Sequence, residues 1–214
     1  MQLTYIIYDT EKNEVDEIYN KYINIPDEEI IKIKSEIEKK KKEIKNLKKK
    51  EIENLKKINK EEKKVSILSE NIKRWEEHLE ERISIQQVNN DFFSKLEEID
   101  LLVAHNINFD YSIMKVTSMR NPIIIPKNII KLEQMKNENK CFCTMKEGKK
   151  KCKCFKYPPS LSNTYKALFG YQPNESKLHD SLFDVAITLR VFVKIFTDKD
   201  IYDKENENIN RNTQ

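Results

Sequence analysis

The sequence predicts an α/β fold: a mixed sheet flanked by helices and interrupted by one long helical insertion. Short apolar runs of strand length alternate with segments of helical spacing in the second half of the chain. Residues 28–83 contain neither Gly nor Pro and consist mostly of Lys, Glu and regularly spaced apolar residues. Charged residues make up 36% of the chain, above the roughly 25% of ordinary globular domains, so a modest core must coexist with a long solvated segment.

The N-terminal segment predicts a β-hairpin. Residues 3–8 and 18–25 are rich in aromatic and β-branched residues, and a polar stretch separates them. Pro26 ends the second strand, and Asp27 is suited to cap the helix that follows. Residues 1–27 are therefore interpreted as the N-terminal β-hairpin of the main domain.

Residues 28–85 are predicted to form a long charged, coiled-coil-like helical insertion. Apolar residues recur at seven-residue intervals from Ile30 to Leu79, with Glu51 as the one exception in that row. Polar residues such as Lys40 and Glu61 interrupt a second apolar row. Two interpretations therefore remain: one long helix, or a helical hairpin with a break near Asn59. We expect residues 28–83 to lie against the domain or to bind a partner, either a second copy in a homodimer or another protein.

Residues 86–197 are predicted to complete the main domain with alternating helices and strands. The tail at 198–214 is rich in Asn, Lys, Asp and Glu, and we expect it to be disordered. In chain order the predicted elements are a helix at 88–99, a strand at 101–104, a helix at 107–120, a helix after Pro126, a strand-like segment at 141–145, a helix at 160–169 closed by Gly170, and a helix at 180–196.

Composition excludes some classes of function. The chain has only two glycines, so a glycine-rich phosphate loop of the Rossmann or P-loop type is ruled out. The net charge of +4 is nearly balanced and argues neither for nor against a polyanionic partner. No apolar run has the length of a signal peptide or a membrane span, which predicts a soluble intracellular protein, cytoplasmic or nuclear, without membrane contact.

Two segments place chemically active side chains where a helix begins. Residues 103–110 lead a buried strand into a helix, so Asp110 falls in the first helical turn, near the end of the sheet where ligand sites gather. Residues 179–184 open the last helix, with His179 just before it and Asp184 among apolar neighbours. A carboxylate in such surroundings needs a cation or hydrogen bonds. Each residue taken alone also has a simpler explanation. The helix dipole favours an Asp at a helix N-terminus, as at Asp110, and His179 is consistent with a solvent-exposed helix cap.

Together the two segments resemble the second and third motifs of the DEDDh 3′–5′ exonucleases, the proofreading and ribonuclease T-like family. Residues 104–110 look like the strand-to-helix motif Ala-His-Asn-x-x-Phe-Asp, and residues 179–184 look like His-Asp-x-Leu-x-Asp. Residues 143–145 and 157–170 are similar to the family's intervening strand and helix. The resemblance covers residues 86–196 and implies a ribonuclease H-like fold.

The resemblance also implies two-metal hydrolysis at the 3′ end of single-stranded DNA or RNA. Four carboxylates in the family hold two Mg²⁺ or Mn²⁺ ions. Carried over by position, Asp110 and Asp184 are metal ligands, His179 is the general base, and Asn106 helps to bind the terminal nucleotide. Phe109 is expected to pack beneath the site. Nothing in the sequence separates a DNA substrate from an RNA substrate.

The family's first motif, Asp-x-Glu at the end of a central strand, has two interpretations here. Asp9 and Glu11 follow the strand at 3–8 and fit the motif, which would complete an active enzyme. Alternatively, residues 5–26 match the family's second and third strands, which makes Asp9 and Glu11 turn residues and places the first strand upstream of Met1. We favour the second interpretation. It implies an impaired protein, a catalytically inactive nucleic-acid-binding or assembly module that uses the helical arm for a partner.

Four cysteines lie together in the second half of the chain. They could enclose one Zn²⁺, but the one-residue spacing within each pair is tighter than usual, and Cys143 already belongs to the family-like strand. Lysines around the thiols also suggest a basic hairpin that approaches a phosphate backbone. Free thiols are the favoured interpretation and a zinc site is not. The cysteines concerned are Cys141, Cys143, Cys152 and Cys154.

Overall fold

The computed structural model describes residues 2–48, 55–78, 80, 82–120, 126–174 and 180–202. These residues form a mixed α/β protein, the class that the sequence predicts. None of the helices in these ranges is long and apolar enough to cross a membrane. In chain order the elements are β1 (Gln2–Asp9), β2 (Glu14–Ile23), α1 (Asp27–Lys48), α2 (Leu55–Glu77), β3 (Arg82–Ile83), α3 (Ile85–Lys95), β4 (Leu102–Ala104), α4 (Ile107–Arg120), α5 (Pro126–Asn137), β5 (Cys141–Cys143), α6 (Thr144–Cys152), α7 (Leu161–Phe169) and α8 (Ser181–Thr197).

The strands of the described residues form two small sheets. One has the order β1-β2-β3, with β3 parallel to β2 and Ile23 opposite Ile83. The other pairs β4 with β5 in parallel, with Ala104 opposite Cys143. The sequence suggested one mixed sheet. Because β3, β4 and β5 are only two or three residues long, each parallel ladder ends after a few hydrogen bonds.

Two compact units divide the chain, and the first contains residues 1–3 and 21–85. Its helices α1 and α2 pack against each other through the predicted heptad residues, so the hairpin alternative describes them. The interruptions of the second row are also explained, since Lys40 of α1 pairs with Glu61 of α2 at 3.8 Å. Asn59 lies inside α2, so the predicted break near Asn59 is wrong. The buried seam consists of Ile37, Ile44, Ile58 and Val65, with Ile33, Leu47, Leu68 and Ile72 packed on it.

Trp75 connects this helical pair to the strands of its own unit. Its side chain is buried with Tyr22 and Ile30, and the indole Nε1–H donates to the carbonyl of Ile23 at 2.9 Å. The guanidinium of Arg82 lies 3.2 Å from the centre of the ring and donates to the Trp75 carbonyl through Nε at 3.1 Å. Arg82 therefore acts as a packing residue in this unit.

The second unit contains residues 4–20 and 86–214, and its helices α6, α7 and α8 pack on one another. Helix α8 also contacts β4. Helix α6 was not predicted, and β5 ends at Cys143, two residues before the predicted end at Met145. Gly148 obscured this helix because glycine disfavours helices, although here it provides room for close packing on α7. The apolar centre between α7 and α8 consists of Tyr165, Ile187 and Val191.

Replacing Gly148 by alanine is expected to lower the free energy of unfolding by about 1–2 kcal/mol. An added Cβ would lie 2.5 Å from Cγ2 of Thr164, a fully buried β-branched side chain with little freedom to move. This clash should outweigh the helix propensity that alanine adds, about 1 kcal/mol. Urea denaturation tests the expectation, with Lys150→Ala on the exposed side of α6 as control. A Gly148→Ala variant more stable than the wild type would contradict it.

Residues 198–202, at the start of the predicted disordered tail, lie against α8. Arg190 donates to both carboxylate oxygens of Asp200 and to the hydroxyl of Tyr165. The Arg190 guanidinium lowers the pKa of Asp200 below its usual value. The remainder of the tail, residues 203–214, lies outside the described residues.

Candidate functional site

The carboxyl ends of β4 and β5 lie at the same edge of their sheet because the two strands are parallel. His105 follows β4 directly and contacts two other segments. Its Nε2 lies 3.2 Å from the carbonyl oxygen of Pro159, and its Nδ1 lies 3.0 Å from the hydroxyl of Thr144 at the start of α6. Since a carbonyl only accepts, Nε2 of the neutral ring carries the proton, and the Thr144 hydroxyl lies within reach of both Nδ1 and the Ala104 carbonyl, 3.5 Å away. His105 thus joins β4, α6 and the segment before α7.

Burial lowers the pKa of His105, which favours the neutral form of its ring. In the unfolded chain the pKa of His105 returns to its ordinary value of 6.5. The unfolded state therefore binds more protons than the folded state at low pH. We therefore expect the contribution of His105 to stability to be complete above pH 6.5 and to be lost as the pH falls through the lower folded pKa. Urea denaturation at pH 7.5 and 5.5 should show a smaller pH dependence for His105→Gln than for the wild type. Equal pH dependence in both proteins would rule this out.

Asp110 and Asn106 belong to the turn that leads from β4 into α4. Asn106 has a left-handed backbone (φ 65°) and its carbonyl accepts the N–H of Phe109 at 2.8 Å. Asparagine tolerates this conformation better than most residues. Asp110 follows in the first turn of α4, with an exposed side chain whose carboxyl pKa is raised by the surrounding protein. Phe109 is 62% exposed, so the expectation that it packs beneath the site is wrong.

Asp184 lies in the first turn of α8 and is half-buried. Asp180 caps this helix, because its carboxylate accepts the N–H of Phe183 at 3.1 Å. The next residue, Ser181, donates to the hydroxyl of Thr4 at 2.7 Å and so places the start of α8 beside β1. The predicted general base, His179, lies outside the described residues.

Asp9 and Glu11 lie at the β1–β2 turn. One oxygen of the Asp9 carboxylate accepts the N–H groups of Glu11 at 2.8 Å and Lys12 at 2.9 Å. The Lys12 ammonium lies 3.1 Å from the other oxygen. The backbone hydrogen bond from Lys12, with the ammonium and the second backbone bond, lowers the pKa of Asp9. Glu11 is exposed in the same turn. The Asp9 carboxylate therefore forms a side-chain turn of the kind that Asp commonly makes.

The described residues contain no group of three or more His, Cys, Asp or Glu side chains that could hold a metal ion. Asp110 and Asp184 are hard oxygen donors suited to Mg²⁺ or Mn²⁺, but as a pair they supply only half of a four-carboxylate site. The four cysteines are free thiols. Burial raises the pKa of Cys141 and Cys152, which disfavours the thiolate form that binds zinc.

Sequence reasoning overlooked His105 and Thr144, although both lie within the segments that carried the resemblance. A histidine directly after a short buried strand was the available signal. Its partner Thr144, directly after the neighbouring strand β5, could not be identified without the β4–β5 pairing.

A family model matches the chain, whereas no curated protein and no solved structure matches it. Residues 6–192 match the RNase_T family model, which is described as Exonuclease. The matched range includes the second half of β1, the turn after β4 and the start of α8. Because this match covers most of the chain, the protein belongs to the exonuclease family.

Proposed function

We propose that this protein binds the 3′ end of single-stranded DNA or RNA and hydrolyses its terminal phosphodiester bond. Membership of the exonuclease family supports a nuclease. The observation that carries the proposal is the state of Asp110. Its side chain is exposed in the first turn of α4, beside the sheet edge, and desolvation by the surrounding protein raises its pKa. A carboxylate in this state favours a bound cation.

Asp110 and Asp184 would hold Mg²⁺ or Mn²⁺, which exonuclease family domains generally use. When bound, such ions neutralise the charge that develops on the scissile phosphate. His179 accepts the proton of the attacking water, for which an imidazole pKa near neutral is suited. Asn106, exposed on its left-handed turn, donates to the terminal nucleotide. His105 holds this turn in position through Thr144 and Pro159.

A second candidate is a nucleic-acid-binding or assembly module without hydrolysis, which uses residues 28–83 for a partner. The turn geometry of Asp9 favours it, because that carboxylate is already bonded to Glu11 and Lys12. The sheets favour it as well. Within the described residues, β1 and β4 each pair on one side only, and such edges accept a further strand. A strand with an Asp-x-Glu pair bound there would restore the four carboxylates.

Digestion of end-labelled single-stranded oligonucleotides tests the two candidates. The nuclease should release a 3′ label as the first product and shorten a 5′-labelled strand stepwise, with Mg²⁺ and not with EDTA. If neither Mg²⁺ nor Mn²⁺ supports digestion, the result favours the binding module instead.

Glu11→Ala tests the first-motif question in the same assay. We expect activity within about twofold of the wild type, because Glu11 is an exposed residue of a turn that the Asp9 hydrogen bonds already close. Lys12→Ala, at the same turn, is the control. A loss of about a thousandfold in Glu11→Ala alone would instead identify Glu11 as a metal ligand.

A further inference from the structure

The α6 surface, defined as Lys146, Lys150, Lys153, Lys156 and Tyr157, is a basic face that the proposed chemistry does not use. Helix α6 packs on its neighbours through Thr144 and Gly148, one turn apart and both buried. Helical spacing places Lys146, Lys150 and Lys153 on the opposite side, and all three are exposed. Residues 146–157 contain six lysines and one acidic residue, Glu147.

The segment after α6 folds back on the helix and adds to this face. Lys153 ends the helix in a left-handed conformation, φ 54°. Lys149 then donates its ammonium to the carbonyl of Lys156 at 2.8 Å. Tyr157 is 71% exposed, with the Lys156 ammonium 5.6 Å from the ring centre. An open aromatic ring thus lies beside the Lys156 ammonium, in the same segment as the other lysines of the surface.

Stabilisation of the helix does not explain the whole surface. Lysines in the last turn interact favourably with the helix dipole, which accounts for Lys149, Lys150 and Lys151. Lys146 lies in the first turn, where the dipole repels a cation, and Lys156 lies beyond the helix. Glu147 compensates Lys150 through an ion pair of 2.7 Å, and Asp198 compensates Lys151 at 2.5 Å. Within the described residues, Lys146, Lys153 and Lys156 form no ion pair. A polyanion is the ligand that such a surface would attract.

We propose that the α6 surface binds the single strand on the 5′ side of the terminal nucleotide, with its lysines on phosphates and Tyr157 stacked on a base. This inference rests on the proposed function, which places the 3′ end at the turn after β4. Pro159, two residues beyond Tyr157, accepts the hydrogen bond of His105, so the surface adjoins that turn. Lysines beside an open aromatic ring are the combination that binds single strands without regard to sequence. The ring favours nucleic acid over an acidic peptide.

Fluorescence anisotropy of a 5′-labelled oligothymidine in EDTA, over a range of salt concentrations, tests this surface. Wild type is compared with a variant in which Lys146, Lys150, Lys153 and Lys156 are glutamine. The matched control removes the same charge from α1, with glutamine at Lys32, Lys39, Lys42 and Lys45, which are equally exposed. We expect the slope of log affinity against log salt to fall by about 3 in the α6 variant, roughly 0.7 per lost phosphate contact, and to change little in the control.

Tyr157 variants separate stacking from charge. Tyr157→Leu should weaken binding roughly tenfold at every salt concentration, and Tyr157→Phe should bind as the wild type does. Equal slopes in the α6 and α1 variants would overturn the proposal, as would polyglutamate competing as strongly as unlabelled oligothymidine. Because EDTA prevents hydrolysis, the result does not depend on nuclease activity. A protein that binds through α6 but digests nothing disproves only the nuclease.

Discussion

Replacing either Asp110 or Asp184 by asparagine should lower the rate of 3′-terminal hydrolysis by about a thousandfold or more. Asparagine keeps the shape of the side chain and an acceptor oxygen but loses the negative charge that a divalent ion requires. Asp110 lies in the first turn of α4, and Asp184 lies in the first turn of α8. The proposed site uses the N-termini of these two helices. The loss should appear in kcat, since the interaction with the metal strengthens as charge develops on the phosphate.

The same substitutions should not unfold the protein. The pKa of Asp110 is raised, so at neutral pH its charged form is less favourable in the folded chain than in the unfolded one. Asp110→Asn is therefore expected to unfold at the same or a higher urea concentration than the wild type. Activity is measured with a 3′-labelled oligonucleotide and stability by urea denaturation. Asp100→Asn, an exposed carboxylate just before β4, is the control and should keep full activity. Activity lost together with stability would point to a structural role instead.

Trp75→Ala is expected to destabilise the unit formed by residues 1–3 and 21–85 by about 3–5 kcal/mol. The change removes a buried indole that packs on Tyr22 and Ile30, and it leaves the carbonyl of Ile23 without its donor. It also removes the ring on which Arg82 lies. These losses fall at the junction of the helical pair with the strands of its unit.

Trp75→Phe separates the two contributions, because it keeps an aromatic ring beneath Arg82 and loses the Nε1–H bond. We expect it to lie between the wild type and Trp75→Ala in the free energy of unfolding. Circular dichroism follows the helices during urea denaturation, since the variants lack the chain's only tryptophan. The control is Ile31→Ala on the exposed side of α1, which should change stability by less than about 1 kcal/mol. If Trp75→Ala lowered the free energy of unfolding by less than about 1 kcal/mol, the junction would not depend on the indole.

Features governed by local sequence could be predicted. Helix α4 begins and ends where the spacing placed it, at Ile107 and Arg120. Helix α7 has its cap at Ser160 and ends before Gly170, whose φ of 82° only glycine adopts readily. The heptad pattern identified the seam of the insertion, but it could not choose between a partner within the chain and one outside it. Both choices bury the same residues.

Features that depend on distant parts of the chain could not be predicted. The two bonds of His105 join residues that are 39 and 54 positions away in sequence. Helix α6 was hidden because a mid-helix glycine and a lysine run resemble a loop, and only its packing on Thr164 explains the glycine. For Asp9, the sequence allowed both a metal ligand and a turn residue, and it favoured the turn. The hydrogen bonds to Glu11 and Lys12 could not be read from spacing.

Titration with Mn²⁺, followed by isothermal calorimetry, tests most directly whether Asp110 and Asp184 share one divalent-ion site. The wild type should bind Mn²⁺, and Asp110→Asn and Asp184→Asn should each weaken that binding at least tenfold, while Asp100→Asn binds as the wild type does. Unchanged Mn²⁺ affinity in both variants would contradict a shared site at the start of α4 and α8.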